Sequence, residues 1–312
     1  MQSLPDTPSG CASAAKILLA GGLVAFPTET VYGVGADARD DAAVARIYEA
    51  KGRPSFNPLI VHFAELDTVK QQVVWTDQAE LLANTFWPGP LTLVLPKRDT
   101  SDVSLLVTAG LDSLAVRMPA HPAARALLKA FGGPVAAPSA NRSGQISPTQ
   151  ARHVEEGLGP RLDAVLDGGT CAVGVESTIV GLVEGPVLLR PGGITEEALT
   201  ETLGHPIAIR HNAEAISAPG QLTSHYAPLA RVRLNATEWH EGEARLGFGE
   251  VECDFNLSES EDLVEAAAHL FDYIHQLDAS KVETIAVSPI PHCGLGVAIN
   301  DRLSRAAAPR EG

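Results

Sequence analysis

The feature of this sequence that most restricts its fold is a series of short apolar runs that alternate with helical segments. Pro, Gly or a charged residue stands close to the end of most runs, as is typical of strands in a sheet. The predicted strands are LVAFP after Gly22 and the runs 58–63, 91–95, 113–118, 135–138, 164–166, 177–182 and 187–190. Helices are predicted near 12–19, from about Pro148 and from Glu196. This alternation predicts an α/β or α+β sheet covered by helices, with a strand order that spacing does not fix.

A helix predicted to follow Asp40 and Asp41 carries two cations to its exit. The two carboxylates suit its N-terminus and Gly52 ends it, so Lys51 and Arg53 stand at the C-terminal end. A Lys point charge beside the planar fork of an Arg is a combination that grips phosphates during transfer. The alternative is a solvated helix end whose cations complement the helix dipole, and taken alone this alternative is favoured.

A second region of the chain begins at a segment that contains Pro and Gly residues, SAPGQLTSHYAP (217–228). The acidic excess per residue rises at Ser217, and the Pro and Gly residues suit a linker between compact units. We therefore divide the chain into a larger domain at 1–216, a linker at 217–230 and a smaller domain at 231–312. In the last part, Ser258 and Glu261 form a capping-box pattern before a helix. A strand-like VETIAVSPI and a helix-like LGVAINDRLSRAAA then predict a small βαβ-type domain.

Composition disfavours several classes of protein. The 23 Lys and Arg residues face 38 Asp and Glu residues, and the net charge of −15 disfavours general coating of nucleic acid. No apolar window approaches the about 20 residues of a membrane span, and the N-terminus lacks a basic n-region, so neither membrane insertion nor export is expected. Four cysteines lie far apart without a CxxC pair, which predicts reduced thiols in a cytoplasmic protein.

Missing motifs narrow the chemistry further. The sequence has no GxxxxGK[ST] phosphate loop, no GxSxG elbow, no HExxH and no kinase signature. VYGVGAD contains Gly33 and Gly35 but no third glycine, so we interpret it as a flexible turn and expect no organic redox cofactor. No pair of carboxylates at metal-ligand spacing stands out, so any Mg²⁺ is expected to be coordinated by nucleotide phosphates.

Polar residues within apolar runs are the remaining candidates for a site. Arg117 in LAVRMP needs either an internal ion pair or a substrate carboxylate, and spacing leaves these alternatives even. His62 in LIVHF is more typical of a core histidine than of a ligand contact. The loop PSANRSGQISPT suits either phosphate contacts or ordinary turn and N-cap roles. Glu176, Ser177 and Thr178 need partners from the protein or a ligand. The pattern indicates electrostatic handling of phosphates without a protein nucleophile.

The chain resembles the YrdC-like threonylcarbamoyl-AMP synthase family over about 14–203, in the ordered motifs FPTETVYGVGADA, KGRPSFNPL, WPGPLTLVL, LAVRMPAHP, PSANRSG and GVESTIV. The linker and the C-terminal part, including PIPHCGLGVAINDRLSRAA, resemble the longer, two-domain branch. The resemblance implies a twisted, mostly antiparallel open α/β sheet with a large, positively charged cavity. It also implies a smaller C-terminal domain that is Rossmann-like α/β.

The resemblance also implies which residues form the site. Lys51 and Arg53 are the expected catalytic residues. The expected ATP contacts are Lys51, Arg53, Asn57, Ser113, Ser139, Asn141, Ser147, Arg190, His225 and Tyr226. The expected L-threonine pocket consists of Thr30, His62, Arg117, Ser177 and the backbone at Ala137. With the linker over the cavity, His225 and Tyr226 would touch nucleotide or gate product release, although residues 221–224 (QLTS) lack the basic residue that related linkers can carry.

The implied reaction joins L-threonine, bicarbonate and ATP into threonylcarbamoyl-adenylate and pyrophosphate, with Mg²⁺ entering on ATP. The product serves the threonylcarbamoyl-adenosine modification of tRNA through downstream transfer machinery. Neither stable direct binding of nucleic acid nor membrane association is expected. Two alternatives stay open. A related carbamoyl-transfer enzyme would use another acceptor, and an RNA-binding module would use Lys51, Arg53 and Arg142.

Overall fold

The chain folds around two sheets of different size. The structure is a computed structural model that describes residues 1–54, 56–210 and 225–309. The strands of the larger sheet are β1 (Gln2–Pro5), β2 (Val24–Phe26), β3 (Gly33–Asp37), β4 (Ile60–His62), β5 (Leu91–Pro96), β6 (Ser113–Arg117), β7 (Val135–Ala136), β8 (Ala164–Asp167), β9 (Thr178–Gly181), β10 (Val187–Arg190) and β11 (Ala208–Ile209). The strands of the smaller sheet are β12 (Arg231–Arg233), β13 (Ala244–Gly247), β14 (Phe255–Asn256) and β15 (Thr284–Val287). The helices are α1 (Pro8–Leu19), α2 (Asp41–Lys51), α3 (Leu66–Gln72), α4 (Asp77–Phe86), α5 (Leu105–Thr108), α6 (Pro122–Phe131), α7 (Ala151–Leu158), α8 (Glu196–Leu203), α9 (Leu263–Ala279) and α10 (Leu295–Ala307).

The larger sheet is mixed. Over the described residues it has eleven strands in the order β1-β8-β2-β3-β7-β4-β6-β5-β9-β10-β11. Parallel and antiparallel neighbours occur in equal number. The predicted α/β class is therefore confirmed, whereas the expectation of a mostly antiparallel sheet is wrong. The predicted domain boundary at 216 and the linker residues 217–224 fall outside the described residues.

Alternation along the central strands separates an apolar face from a polar one. Val61, Leu114 and Val116 are buried in the main core, with α2 and α4 contributing to the same cluster. Their strand neighbours Ile60 and Ala115 belong to a small separate cluster on the opposite face. Successive side chains of a strand point to opposite faces, so polar residues at the other positions of β4 and β6 share one side of the sheet.

Within the segment VYGVGAD, residues Gly33–Asp37 form strand β3 rather than the predicted turn. β3 pairs antiparallel with β2 and with β7, which fixes its backbone on both sides. At Gly35, a Cβ atom would lie 2.8 Å from both Phe26 Cε1 and Val135 Cγ1. The glycine therefore permits close approach of neighbouring side chains within the sheet instead of a tight turn.

Two predicted helix starts lie too early in the sequence. The helix expected from about Pro148 begins at Ala151, because the Pro148 carbonyl accepts from the Tyr32 N–H (2.8 Å) of the loop before β3. In the C-terminal part the N-cap of α9 is Asp262, whose carboxylate accepts from Val264 N (2.7 Å), rather than the predicted Ser258. Ser258 instead accepts from the Asp262 N–H (2.9 Å) through its hydroxyl. By contrast, α2 has its N-cap at Asp40 and its C-cap at Gly52, as predicted.

The C-terminal domain is a small parallel α/β unit. Its strands lie in the order β12-β15-β13-β14, and all the described pairs are parallel. Helices α9 and α10 supply most of the remaining core, and Val31, Ile146 and Val175 from the first domain belong to the same cluster. The two domains therefore share buried apolar contacts. Searching the described residues finds no helix with the length and apolarity to cross a membrane, and all four cysteines are free thiols.

Candidate active site

A cavity opens on the polar face of the larger sheet, where the C-terminal domain packs against it. Its lining consists of Thr28, Thr30, Val31, Gly33, Arg53, Ile60, His62, Arg117, Ala137, Pro138, Ser139, Glu176, Ser177, Arg190, His225 and Tyr226. The parallel register of β4 and β6 makes His62 and Arg117 neighbours. Of the site residues expected from sequence, Lys51, Asn57, Ser113, Asn141 and Ser147 lie outside this lining, and the others are part of it.

One end of the cavity, which we call the paired end, is built around Arg117 and Glu29. Arg117 Nη2 donates to Glu29 Oε1 (2.5 Å) and to Thr30 Oγ1 (3.0 Å). The second oxygen of Glu29 accepts from the backbone N–H groups of Ala120 (2.8 Å) and His121 (3.3 Å). Burial by itself would raise the pKa of Glu29, but Arg117 outweighs it and holds that pKa below the usual value. The internal ion pair considered for Arg117 therefore exists.

The ion pair does not use all the hydrogen-bonding capacity of Arg117. Its Nε is buried and finds no hydrogen-bond partner in the described part of the chain. A buried guanidinium N–H without a partner is costly, so it marks a place where a ligand oxygen would be stabilised. Arg117 can thus bind Glu29 and a ligand at the same time, although the sequence by itself leaves an ion pair and a ligand as alternatives.

His62 completes the paired end as a neutral ring. Burial, together with the positive charge of Arg117, lowers the pKa of His62 to about 3. The imidazole packs edge-on against Phe26 with 6.0 Å between ring centroids. Its Nδ1 is buried and, over the described residues, has no hydrogen-bond partner. His62 therefore combines the core position expected from its apolar surroundings with a polar atom available to a ligand.

The other end, which we call the cation-rich end, is lined by Arg53 and Arg190, and Lys51 lies behind the lining, bound to the carbonyl of Ser139. Lys51 and Arg53 are only 3% and 8% exposed, so the interpretation as a solvated helix end is wrong. Lys51 Nζ donates to the carbonyls of Ser139 (2.6 Å) and Asn141 (2.5 Å). Burial, reinforced by Arg53, lowers the Lys51 pKa well below its ordinary value, and burial lowers the pKa of Arg53 to about 10.

Arg53 and Arg190 both donate to backbone carbonyls. Arg53 donates to the carbonyls of Asn57 (3.3 Å) and Pro58 (3.0 Å). Arg190 Nη2 donates to the Ser177 carbonyl (2.8 Å) and lies 3.2 Å from the Ser177 hydroxyl. Burial lowers the pKa of Arg190 as well. The carbonyls fix where the Arg53 guanidinium points without neutralising its charge.

The glycines after Arg190 explain why its strand can lie so close to the cavity wall. At Gly192 a Cβ atom would come within 2.3 Å of the Glu176 carbonyl oxygen and 2.4 Å of the Thr178 N atom. Only glycine allows this close approach. The RPGG sequence therefore places Arg190 and the Glu176–Thr178 backbone side by side.

Two expected ATP contacts, Asn57 and Ser113, stand near the amino ends of β4 and β6, because Ser113 is the first residue of β6 and Asn57 precedes Ile60 of β4. Asn57 is fully buried, and both polar atoms of its amide lack a partner over the described residues. Ser139 lines the cavity. Asn141 donates to Arg142 O (2.7 Å) and Gln145 O (2.8 Å) through Nδ2.

The segment that enters the second domain closes one side of the cavity. His225 and Tyr226 are buried and line it, and His225 N donates to the Arg305 carbonyl of α10 (3.2 Å). Ala227 N donates to the Gly144 carbonyl (2.8 Å) in the loop after β7. Tyr226 has a left-handed φ of 62°, a conformation that costs a non-glycine residue energy. Residues 221–224, where a basic residue was considered, lie outside the described residues.

Ser147 is engaged by the protein itself. Its hydroxyl donates to Glu176 Oε1 (2.5 Å), and the second oxygen of that carboxylate accepts from Arg302 Nε (2.8 Å). Burial alone would raise the pKa of Glu176, but Arg302 and Arg190 outweigh it and lower that pKa. The ATP contact expected of Ser147 therefore involves a hydroxyl already bound to a carboxylate.

Sequence reasoning missed two residues of this site, Glu29 and Arg302. Glu29 lies within the FPTET motif, where only Thr30 was expected to contribute. Arg302 is fully buried within the apolar stripe of α10, between Ile299 and Leu303. A charged residue inside the buried stripe of a helix needs a partner, and that signal in the sequence was sufficient to single it out.

Buried charge in this region is strongly unbalanced. Of the charged residues that the structure describes, the buried cations are Lys51, Arg53, Arg117, Arg190 and Arg302, and the buried carboxylates are Glu29 and Glu176. Each carboxylate is already paired with an arginine. In a chain whose net charge is −15, this excess of buried positive charge is favourable for the binding of an anion. No group of three or more His, Cys, Asp or Glu residues that could hold a metal is found in the described ranges.

Comparison with known proteins assigns the chain to a family. Residues 16–192 match the Sua5, YciO and YrdC family model, described as telomere recombination, and residues 194–308 match the C-terminal domain of threonylcarbamoyl-AMP synthase. Threonylcarbamoyl-AMP synthase of Pyrococcus abyssi is 42% identical, over 95% of this chain and 94% of the relative. The Bacillus subtilis enzyme of the same name is also 42% identical, over 96% and 93%.

A solved structure supports the same assignment. The crystal structure of P. abyssi Sua5 complexed with L-threonine has a TM-score of 0.90 and 38% identity, covering 98% of this chain and 97% of that one. The chain therefore belongs to the Sua5, YciO and YrdC family, in the branch that carries the additional C-terminal domain. The resemblance seen in the sequence motifs is confirmed.

Proposed function

We propose that this chain is an L-threonylcarbamoyladenylate synthase, a nucleotidyltransferase that joins L-threonine, bicarbonate and ATP and releases pyrophosphate. The observation that carries the proposal is the division of charge within one cavity. The paired end holds an arginine bound to a glutamate, whereas Lys51 and Arg53 at the other end meet no carboxylate within the described residues. An amino acid and a triphosphate differ in the same way, because one is a zwitterion and the other a polyanion.

The paired end is the proposed L-threonine pocket. We place the threonine carboxylate against the free N–H of Arg117, and Thr30, Ser177 and the Ala137 backbone around the rest of the substrate. The pKa of His62, lowered to about 3 by burial and by Arg117, keeps its ring neutral near pH 7. Arg117 is therefore the one cation that His62 and Arg117 together place near the amine of the substrate. That amine has to lose its proton before it can react with bicarbonate.

The cation-rich end is the proposed triphosphate site. Arg53 and Arg190 supply fixed positive charge, and Lys51 supplies a further positive charge when its amine is protonated. The proposed polar contacts around the nucleotide are Asn57, Ser113, Ser139, Asn141 and Ser147. Mg²⁺ is proposed to enter as part of the MgATP substrate. This fits the donor set, since both buried carboxylates already bind arginines and hard cations need oxygen ligands.

The proposed reaction has two steps. The threonine nitrogen attacks the carbon of bicarbonate, a C–N bond forms, and water leaves, which gives a carbamate. A carbamate oxygen then attacks the α-phosphorus of ATP, and the bond to the β-phosphate oxygen breaks to release pyrophosphate. Holding three substrates in one cavity supplies proximity, and Lys51 with Arg53 stabilises negative charge on the phosphates as the bond breaks.

The structure disfavours the RNA-binding alternative. Two of the cations that it would use, Lys51 and Arg53, are buried, and a nucleic-acid backbone binds to exposed charge. We place the enzyme in the cytoplasm, upstream of the machinery that transfers the threonylcarbamoyl group to tRNA. A related enzyme with another acceptor is the remaining competitor, because a shared fold does not choose the substrate.

The decisive experiment measures pyrophosphate release from MgATP and bicarbonate with and without L-threonine, and identifies the adenylate by mass spectrometry. We expect release that depends on threonine and a product of the mass of threonylcarbamoyl-AMP. Serine and valine, tested in parallel, separate the hydroxyl from the methyl group of the substrate. Faster release with another amino acid would support the competitor, and no release by folded protein that binds ATP would overturn the proposal.

A further inference from the structure

Arg302, on helix α10 of the C-terminal domain, binds residues of the first domain. Arg302 has no exposed surface. Its Nε donates to Glu176 Oε2 (2.8 Å), and its Nη1 donates to the Pro191 carbonyl (2.8 Å), next to Arg190. The guanidinium also lies 5.4 Å from the ring centroid of Tyr226. Arg302 thus contacts Glu176 in the segment before β9, Pro191 in the loop after β10, and Tyr226 in the segment that closes one side of the cavity.

The C-terminal domain holds Ser147 from two directions. The Ser147 hydroxyl donates to Glu176, which Arg302 fixes, and the Ser147 carbonyl lies 3.2 Å from His275 Nε2 of α9. The imidazole of His275 stacks on that of His153 with 4.0 Å between centroids. The C-terminal domain therefore contacts the Ser147 carbonyl directly through His275, and it acts on the Ser147 hydroxyl indirectly, because Arg302 binds the Glu176 carboxylate that accepts from it.

The charge of Glu176 makes Arg302 important for an anionic substrate. Glu176 lines the same cavity as Arg53 and Arg190. In a buried site, a carboxylate without its cation would repel a triphosphate at close range. Asp301 also contacts Arg302, Nη1 to Oδ2 at 2.8 Å, and so holds the guanidinium from the outer side. The ion pair lets a carboxylate orient Ser147 without leaving a net negative charge in the cavity.

We propose that Arg302 is a positioning residue through which the C-terminal domain sets the affinity of the site for the ATP triphosphate, by neutralising Glu176 and fixing it against Ser147. This inference rests on the proposed function, since it concerns the ATP end of that site. It also gives the second domain a role, because the first domain alone would present Glu176 without this partner.

The test compares Arg302→Met with the double variant Glu176→Gln/Arg302→Met in the full-length protein. We expect Arg302→Met to raise the KM for ATP at least tenfold while the KM for L-threonine stays within about twofold of the original value. In the double variant, the amide oxygen of the substituted side chain can still accept from Ser147, and no charge is left unpaired. Its KM for ATP should return to within about threefold of the original.

Controls separate this effect from loss of structure. Arg231→Met removes an exposed arginine of the same domain and should change neither KM, and thermal melting checks that each variant is folded. If Arg302→Met does not fold, the double variant still decides, because a purely structural role predicts a high KM for ATP there too. An unchanged KM for ATP in folded Arg302→Met, or equal rises in both KM values, would overturn the inference.

A direct binding measurement keeps this inference distinct from the proposed reaction. Calorimetric titration of ATP without threonine should show the same loss of affinity in Arg302→Met and the same recovery in the double variant. If the original protein binds ATP but forms no adenylate, the proposed function fails while the role of Arg302 in ATP binding is still measured. If it forms adenylate and Arg302→Met binds ATP normally, only the inference fails.

Discussion

The two ends of the cavity treat buried charge in opposite ways. At the paired end, Arg117 is neutralised by Glu29, and one N–H is left for a ligand. At the cation-rich end, Lys51 and Arg53 are oriented by carbonyl oxygens. Desolvation of these two cations is therefore poorly compensated until an anion arrives. The comparison indicates that the ion pair of the paired end stabilises the fold and leaves one directed N–H for a ligand. The uncompensated cations of the cation-rich end lower stability but increase affinity for a polyanion.

The largest expected effect is a difference in the free energy of unfolding between two Arg→Met variants. Arg117→Met leaves the Glu29 carboxylate buried without its partner and should lower the free energy of unfolding by about 3–5 kcal/mol. Arg53→Met also removes a buried arginine, but it relieves an uncompensated charge. This relief offsets the lost hydrogen bonds to two carbonyls, so its free energy of unfolding should stay within about 1 kcal/mol of the original. Urea denaturation at pH 7 measures both values.

A second comparison shows whether the ion pair is the cause. Glu29→Gln/Arg117→Met removes both charges and should be more stable than Arg117→Met alone. Equal destabilisation by Arg117→Met and Arg53→Met would contradict the distinction between the two ends of the cavity.

The next effect concerns catalysis at the cation-rich end. Arg53→Ala should lower kcat/KM for ATP by about 100- to 1,000-fold, the range seen when one charge-stabilising donor is removed from a preorganised site. Arg39→Ala is the matched control, because Arg39 is partly exposed and paired with Asp37 away from the cavity. Steady-state pyrophosphate release measures both variants. Full threonine-dependent turnover in Arg53→Ala would rule out the role assigned to this residue.

The smallest expected effect is a change in bound protons when ATP binds. In the free protein, burial and the neighbouring Arg53 lower the pKa of Lys51. The phosphates of ATP stabilise the ammonium form and raise that pKa again. ATP binding should therefore take up as much as about one proton, and the uptake should increase as the pH rises above the free-state pKa.

Calorimetry in two buffers of different ionisation enthalpy, repeated between about pH 6 and pH 9, measures this uptake. Lys51→Met should abolish it and Lys51→Arg should reduce it, because an arginine keeps its proton. Undiminished uptake in Lys51→Met would assign the proton to another group.

Local signals in the sequence were enough to predict many elements but few of their contacts. The Asp40 cap and the Gly52 end of α2 were predictable because both act within one turn of the helix. The strand at Gly33–Asp37 was missed, because the need for glycine at Gly35 comes from side chains on two other strands. The start of α7 was misplaced for a similar reason, since a distant N–H occupies the carbonyl of Pro148.

The sequence by itself determined the alternation of strands and helices, the family and the kinds of chemical group available to the site. Those properties depend on neighbouring residues and on the order of short motifs. Only the tertiary structure decided how charge is distributed, because the deciding pairs join positions far apart in the chain: Glu29 with Arg117 and Glu176 with Arg302. A side chain's desolvation and the distance to its counter-charge are set when the sheets and domains pack together. For that reason a predicted cation became a paired residue at one end of the cavity and an uncompensated one at the other.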